Sequence, residues 1–372
     1  MIPREVCRLS FIATHCHSFP LIATHHQITH PVTKNEAAAM FDIHTHVFCW
    51  GEDPRQGFLS EETRRRWLTR LIVRVIGLDR EPGETRSEQI RNRLVRQLDE
   101  SKLTRAVVLA QDAVYRSDGE PDLERTHVYV SNDHVLELAD RHEKVLAGCS
   151  INPLRRDALE ELERCAAAGS RLIKVHTAIQ GVDPSLAEFE SFYRLAAELD
   201  VILMFHTGYE HSCRVISQQF TDPRRLVRPL EHGLRVIAAH CGTCFATDRE
   251  DYYPGFVEMM QRYPNLYGDT SILATWPRWR ALGRLERESE SLRGRLLHGS
   301  DYPFPPARGP YIRRAGLRPG GTRNPLDIDL AIKQSFDFGP DYATRGIEWF
   351  EPELLADRPV EGESEPVALA SV

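Results

Sequence analysis

The constraint that most narrows what this chain can fold into is a recurrence of short, almost uninterrupted apolar runs. They fall at 41–47, 105–110, 145–150, 171–176, 201–206, 235–240, 266–270 and 295–301, the seventh being the weakest. Strands this apolar on both faces belong to a parallel sheet covered on both sides rather than to one with a wet face. Amphipathic stretches such as 87–101, 155–168 and 185–199 lie between the runs; in the last, Phe189, Phe192, Leu195, Ala196 and Leu199 share one helical face. Asp157 and Ser185 are the expected helix N-caps, and Gly169 the expected stop. Eight strand–helix units over about 300 residues predict an α/β chain folded as a (β/α)8 TIM barrel. A doubly wound open sheet is the runner-up, disfavoured because no glycine-rich phosphate loop follows the first run.

Residues 1–39 lack this pattern. They hold five histidines, including the His15-Cys16-His17 doublet, but no continuous apolar core of a signal peptide. This segment reads as a disordered extension or the product of a start codon called too early, with the folded domain over 40–355 and a flexible acidic tail over 356–372. Two long connections, 48–86 and 302–325, are rich in Arg, Gly and Pro, and loops of that length are usually functional or disordered. A formal net charge of −7 argues against a nucleic-acid partner, and no apolar run approaches the length of a membrane span. The eight cysteines lack paired spacing, which suits reduced thiols in a cytoplasmic protein. The expected partner is a small-molecule substrate; a homodimer is an expectation that the sequence leaves open.

The strand ends carry the chemistry. In Phe41-Asp42-Ile43-His44-Thr45-His46-Val47 the apolar and polar residues alternate, so His44 and His46 project to one face, one pleat apart. Alone, this doublet is weak in a chain with 16 histidines. But His176, His206 and His240 end the fourth, fifth and sixth runs and Asp301 the eighth, and in a (β/α)8 barrel all of these ends lie on one rim. Scattered surface histidines would not fall so regularly, and the set reads as a metal site. Imidazoles with a carboxylate suit zinc, and also manganese or iron. An open position on such an ion activates water and polarises a carbonyl; Asp301 can accept a proton from that water, and His240 can stabilise an oxyanion or protonate a leaving group.

The ordered motifs FDIHTH, LIKVH, MFHTG, AAHCG and LLHGSDYPF resemble the amidohydrolase superfamily over about residues 41–350, and most of all its amidohydrolase-2 branch, which includes enzymes related to aminocarboxymuconate semialdehyde decarboxylase. The resemblance implies a metal-dependent hydrolase-type barrel in which His44, His46, His206 and Asp301 bind one divalent ion, zinc first, with His240 beside the activated water or the substrate. It implies hydrolysis of a small amide, lactone or ester, with non-oxidative decarboxylation of a small unsaturated or aromatic acid as the alternative. In binuclear members of the superfamily a carboxylated lysine on the fourth strand bridges two metals, a part open to Lys174, although the mononuclear arrangement is favoured. Lys174 and His176 are otherwise candidate substrate contacts. The Tyr209-Glu210-His211 loop lies on the same rim. Cys241-Gly242-Thr243-Cys244 lacks the setting of a redox motif; Arg278, Arg280, Arg308, Arg313 and Arg314 read as surface arginines, and Arg64-Arg65-Arg66 as a solvated helix face.

Overall fold

The computed structural model describes residues 39–78, 83–318 and 321–352. The extension expected over 1–39 lies outside them except for its last residue, as does the whole of the expected tail. Each apolar run forms a strand: β1 (Phe41–His46), β2 (Arg105–Leu109), β3 (Val145–Ser150), β4 (Leu172–Val175), β5 (Ile202–His206), β6 (Val236–Ala239), β7 (Leu266–Asp269) and β8 (Leu296–Leu297). They pair in that order, always parallel.

The sheet closes on itself just beyond β8. Ile43 N donates to His298 O (3.0 Å), Asp301 N to His44 O (2.8 Å) and His46 N to Tyr302 O (2.8 Å), so the open-sheet alternative does not apply. Phe41, Ile43, Val107, Leu109, Met204 and Ile237 are among the side chains that fill the barrel interior, while a larger apolar layer lies between the strands and the helices. The helix Arg86–Asp99 starts at a capping box, with Thr85 and Glu88 each satisfying the other's backbone N–H. No helix among the described residues is long and apolar enough to cross a membrane.

Strand β1 does not alternate simply. Asp42 pairs with Ala106 but Thr45 with Val108, three steps on β1 against two on β2. This extra residue is a bulge, which reverses the facing of whatever follows it. Phe41 and Ile43 therefore point into the barrel, and so does His46, whose register partner Leu109 is itself an interior residue. The bulge is stitched by Asp42, whose Oδ1 accepts the N–H of His44 (3.0 Å) and of Ser300 (3.0 Å).

Some local expectations are corrected. Asp157 precedes the helix Ala158–Ala167 but makes no side-chain cap; it binds Arg155 instead. Ser185 does not cap either: its hydroxyl donates to Asp183, and the helix Glu190–Glu198 begins only after a 3-10 turn at Ala187–Phe189. Gly169 (φ +92°) closes Ala158–Ala167 in the left-handed conformation that glycine permits. The long connection after β1 is largely ordered. Gly57–Leu59 forms an antiparallel ribbon with Val128–Val130, and helices Glu61–Arg65 and Trp67–Ile76 follow. Of the basic run, Arg65 is exposed, but Arg64 donates to Trp50 O and Arg66 to His211 O.

Replacing Asp42 by alanine should leave two buried amides unpaired at the seam, costing roughly 1–3 kcal/mol for each unsatisfied group. The expected outcome is a lower melting temperature in calorimetry; an unchanged one would show that Asp42 does not hold the bulge.

Candidate metal centre

Because β1 and β8 meet at the seam, the two histidines of β1 face Asp301 directly. His44 Nε2 lies 3.1 Å from His46 Nε2 and 3.6 Å from Asp301 Oδ1, and His46 Nε2 is 3.1 Å from that same oxygen. The three ligand atoms lie within 4.8 Å of one another. Asp301 Oδ1 is buried and no group is oriented to donate a hydrogen bond to it. Burial of an unpaired carboxylate oxygen against two imidazole nitrogens is costly unless a cation neutralises it. The donor set, neutral nitrogen plus carboxylate, fits a divalent transition metal.

The protonation states agree. Burial pushes the His44 imidazole down to about 4, with Lys174 adding to the effect, and pushes His240 down to about 3; burial likewise lowers His206. Neutral rings are the form that ligates metal. For Asp301, burial opposes ionisation, but the imidazoles of His46 and His44 beside it hold the carboxyl well below its ordinary range.

Asp269, at the end of β7, organises the other side. Its Oδ2 lies 2.8 Å from His44 Nδ1, and its Oδ1 accepts from the backbone of His240 (2.9 Å) and Ser271 (3.0 Å). Burial opposes its ionisation, yet its close pairing with His44 Nδ1 keeps it ionised. An ionised Asp269 assigns the Nδ1–H tautomer to His44, which turns the Nε2 lone pair toward His46 and Asp301. His240 is fixed similarly: its Nδ1 lies 3.2 Å from Ser271 O and 2.8 Å from Ser271 Oγ, and a carbonyl can only accept. His240 Nε2 is then the accepting nitrogen of a neutral ring. Both His240 (φ +65°) and Asp301 (φ +60°) have left-handed backbones, a strain of roughly 1–3 kcal/mol for each non-glycine residue that is typical of residues aimed at a site.

His176, His206 and Glu210 form a neighbouring triad. The imidazoles of His176 and His206 stack with centroids 4.0 Å apart and planes 13° from parallel. Glu210 Oε2 lies 3.1 Å from His176 Nε2 and 3.5 Å from His206 Nε2. Burial would raise the Glu210 carboxyl, but the His176 hydrogen bond and charge override it and hold it at about 2. The structure thus brings His44, His46, Asp301 and His240 together and sets His206 against His176 and Glu210. His206 Nε2 is nonetheless buried without a hydrogen-bond partner. Lys174 lies on the cavity floor with Nζ unpartnered; burial lowers it to about 8, against the pull of Asp269, Asp301 and Glu210.

Asp269 escaped the sequence reading, because the weakest run ends there and a single Asp after glycine carries no spacing signal. Arg278 corrects an expectation. Only 4% exposed, it donates from Nη1 to Thr243 O (2.9 Å) and Oγ1 (3.1 Å) and from Nη2 to Tyr209 O. Cys241 and Cys244 remain separate thiols, Cys241 donating to Asp269 O, and burial pushes both upward, away from thiolate chemistry.

The family model described as "Amidohydrolase" matches residues 14–319. Among solved structures, an uncharacterized TIM-barrel protein from Bordetella bronchiseptica superposes with a TM-score of 0.56 at 15% identity, covering 85% of this chain and 99% of that one. A putative 2-pyrone-4,6-dicarboxylic acid hydrolase from Pseudomonas putida gives 0.47 at 15% identity, with 81% and 95% covered. A manganese-bound 5-carboxyvanillate decarboxylase from Novosphingobium aromaticivorans gives 0.44 at 14%, with 84% and 96% covered. The first of these shares the fold; the other two are weaker likenesses. No curated protein matches the sequence.

Asp269→Asn should weaken binding of a divalent ion about 10- to 100-fold, the effect expected when a ligating histidine loses its outer partner. Competition with a chromogenic chelator measures it, and an unchanged affinity would remove Asp269 from the centre.

Proposed function

This chain belongs to the amidohydrolase family, and we propose that it is a metal-dependent hydrolase acting on the carbonyl of an amide, lactone or ester. The observation that carries this reading is the meeting of His44 Nε2, His46 Nε2 and the unpaired Asp301 Oδ1 at the base of a cavity of about 420 Å³. These three residues would hold one ion, with the unpartnered Nε2 of His206 as the proposed fourth ligand. Zinc is the proposed ion, the same donors also suiting manganese or iron. When bound, such an ion polarises a carbonyl and lowers the pKa of water.

The rest falls to the protein's own groups. Water adds its oxygen to the carbonyl carbon, the bond from that carbon to the leaving nitrogen or oxygen breaks, and the proton lost by water ends on the leaving group. Asp301, held ionised, takes that proton. His240, neutral with Nδ1–H directed at Ser271 O, offers Nε2 as acceptor and relay; a donor role for this ring requires it first to be protonated. Glu210 keeps His176 oriented beside His206. The decarboxylase alternative asks for a cationic group that grips a substrate carboxylate; the Arg278 fork is already spent on backbone carbonyls, and the other basic side chain of the lining, Lys174, has no hydrogen-bond partner but lies within the pull of Asp301 and Glu210.

The reading carries a cytoplasmic setting, supported by free rather than paired cysteines at Cys49, Cys149, Cys165, Cys213, Cys241 and Cys244, and a homodimer, which sedimentation measures directly.

Elemental analysis of the purified protein should find one divalent ion per chain. Chelation should abolish hydrolysis of an ester and amide panel and zinc should restore it. Asp301→Asn and His240→Ala should each lower kcat/KM by about 10²- to 10⁴-fold, the scale of general acid–base catalysis. Full activity without metal, or CO2 as the sole product from any substrate, would overturn the reading.

A further inference from the structure

The cavity above the histidines is far less polar than its floor. Phe48, Trp50, Leu59, Ile72, Ile179 and Phe304 form its walls, and its volume of about 420 Å³ falls in the range of sites that enclose a whole small ligand. Its mouth is apolar as well. Trp67 is 74% exposed, Leu71 41% and Trp276 68%, and all three line the cavity. Single exposed apolar residues are ordinary, but Trp67, Leu71 and Val75, 51% exposed, recur at four-residue steps on the helix Trp67–Ile76. They make one continuous stripe that leads to the opening, the kind of patch that marks a ligand or partner surface.

Charge sharpens the choice. Arg278 is the one arginine in the lining among the described residues. Both of its terminal nitrogens donate to backbone carbonyls, and only Nε is unpartnered. A single remaining donor cannot make the two-point grip by which arginine selects a carboxylate. His211 is paired with Asp248, 3.1 Å away. On the floor, Lys174 shares the lining with the carboxylates of Asp301 and Glu210, whose charges act on it, so an incoming carboxylate would meet two others.

We propose that this cavity takes an uncharged, apolar carbonyl compound, with an alkyl or aryl body seated between Phe48, Trp50 and Phe304 and admitted past Trp67, Leu71 and Trp276. The proposal names the substrate class for the hydrolase reading and rests on it for the bond broken, but the preference for an apolar body is a property of the walls.

The test separates the two. On the protein as purified with its metal, calorimetric titration with butan-2-one and octan-2-one, neither of which can be hydrolysed, reads the walls without any reaction. Each methylene buried should tighten binding about fourfold, so octan-2-one should bind at least tenfold more tightly. The double variant Trp67→Ser, Leu71→Ser should lose about fivefold or more of that affinity while keeping its melting temperature, since both side chains are exposed; Leu123→Ser, at an exposed leucine outside the cavity lining, should change nothing. In parallel, 4-nitrophenyl octanoate should exceed 4-nitrophenyl acetate at least tenfold in kcat/KM, and the anionic 4-nitrophenyl hemisuccinate should not. Equal ketone affinities, an unmoved double variant or a preference for the hemisuccinate would overturn the proposal. Tight octan-2-one binding with no ester hydrolysed would uphold it and sink the hydrolase reading instead.

Discussion

The hydrogen bonds that close the barrel are the constraint on which the rest of this structure depends. Asp301 N donates to His44 O, and His46 N to Tyr302 O, so the first and last strands are sewn together at the point where their ligand atoms meet. A histidine doublet far from its carboxylate in sequence becomes a three-atom cluster only because the sheet returns to its start. The β1 bulge belongs to the same device. It breaks the pleat between Ile43 and His44, and Asp42 takes up the N–H groups of His44 and Ser300 on either side of the seam. The outward-going half of the alternation thereby becomes the inward-facing half where the chemistry is needed.

Burying this many ionisable groups is tolerable only because each has an assigned state. His44 and His240 are neutral, with Nδ1 directed at Asp269 and at Ser271 O. Asp269, Asp301 and Glu210 are ionised because imidazoles outweigh their desolvation. Among the buried atoms with no partner, Asp301 Oδ1 and His206 Nε2 are both good metal donors. These two atoms thus sit where a cation would pair them, and an apolar chamber above keeps the local dielectric low and the electrostatics strong.

Much of this was legible beforehand. The eight apolar runs became eight strands, the rim histidines and Asp301 lined one cavity, and Gly169 closed its helix. What escaped was everything that depended on contacts distant in sequence. Asp269 follows a weak strand and matters only through His44 and His240. Arg278 looked like one more surface arginine, because nothing local says that Thr243 and Tyr209 carbonyls would swallow its guanidinium. Ser185 looked like a helix cap until Asp183 claimed its hydroxyl.

By itself the sequence determined a parallel sheet covered on both faces, since strands apolar on both faces must be buried, and it determined which strand ends carry side chains able to ligate a metal, since strand periodicity is a local property of the chain. Only the tertiary structure decided which way those side chains face and which of them meet. Simple alternation would have set His44 and His46 opposite Phe41 and Ile43; the bulge turns both pairs inward. The pairing of His44 and His46 with Asp301, and of His206 with His176 and Glu210, follows from closure and register, which are relations between strands and are written in no single stretch of the chain.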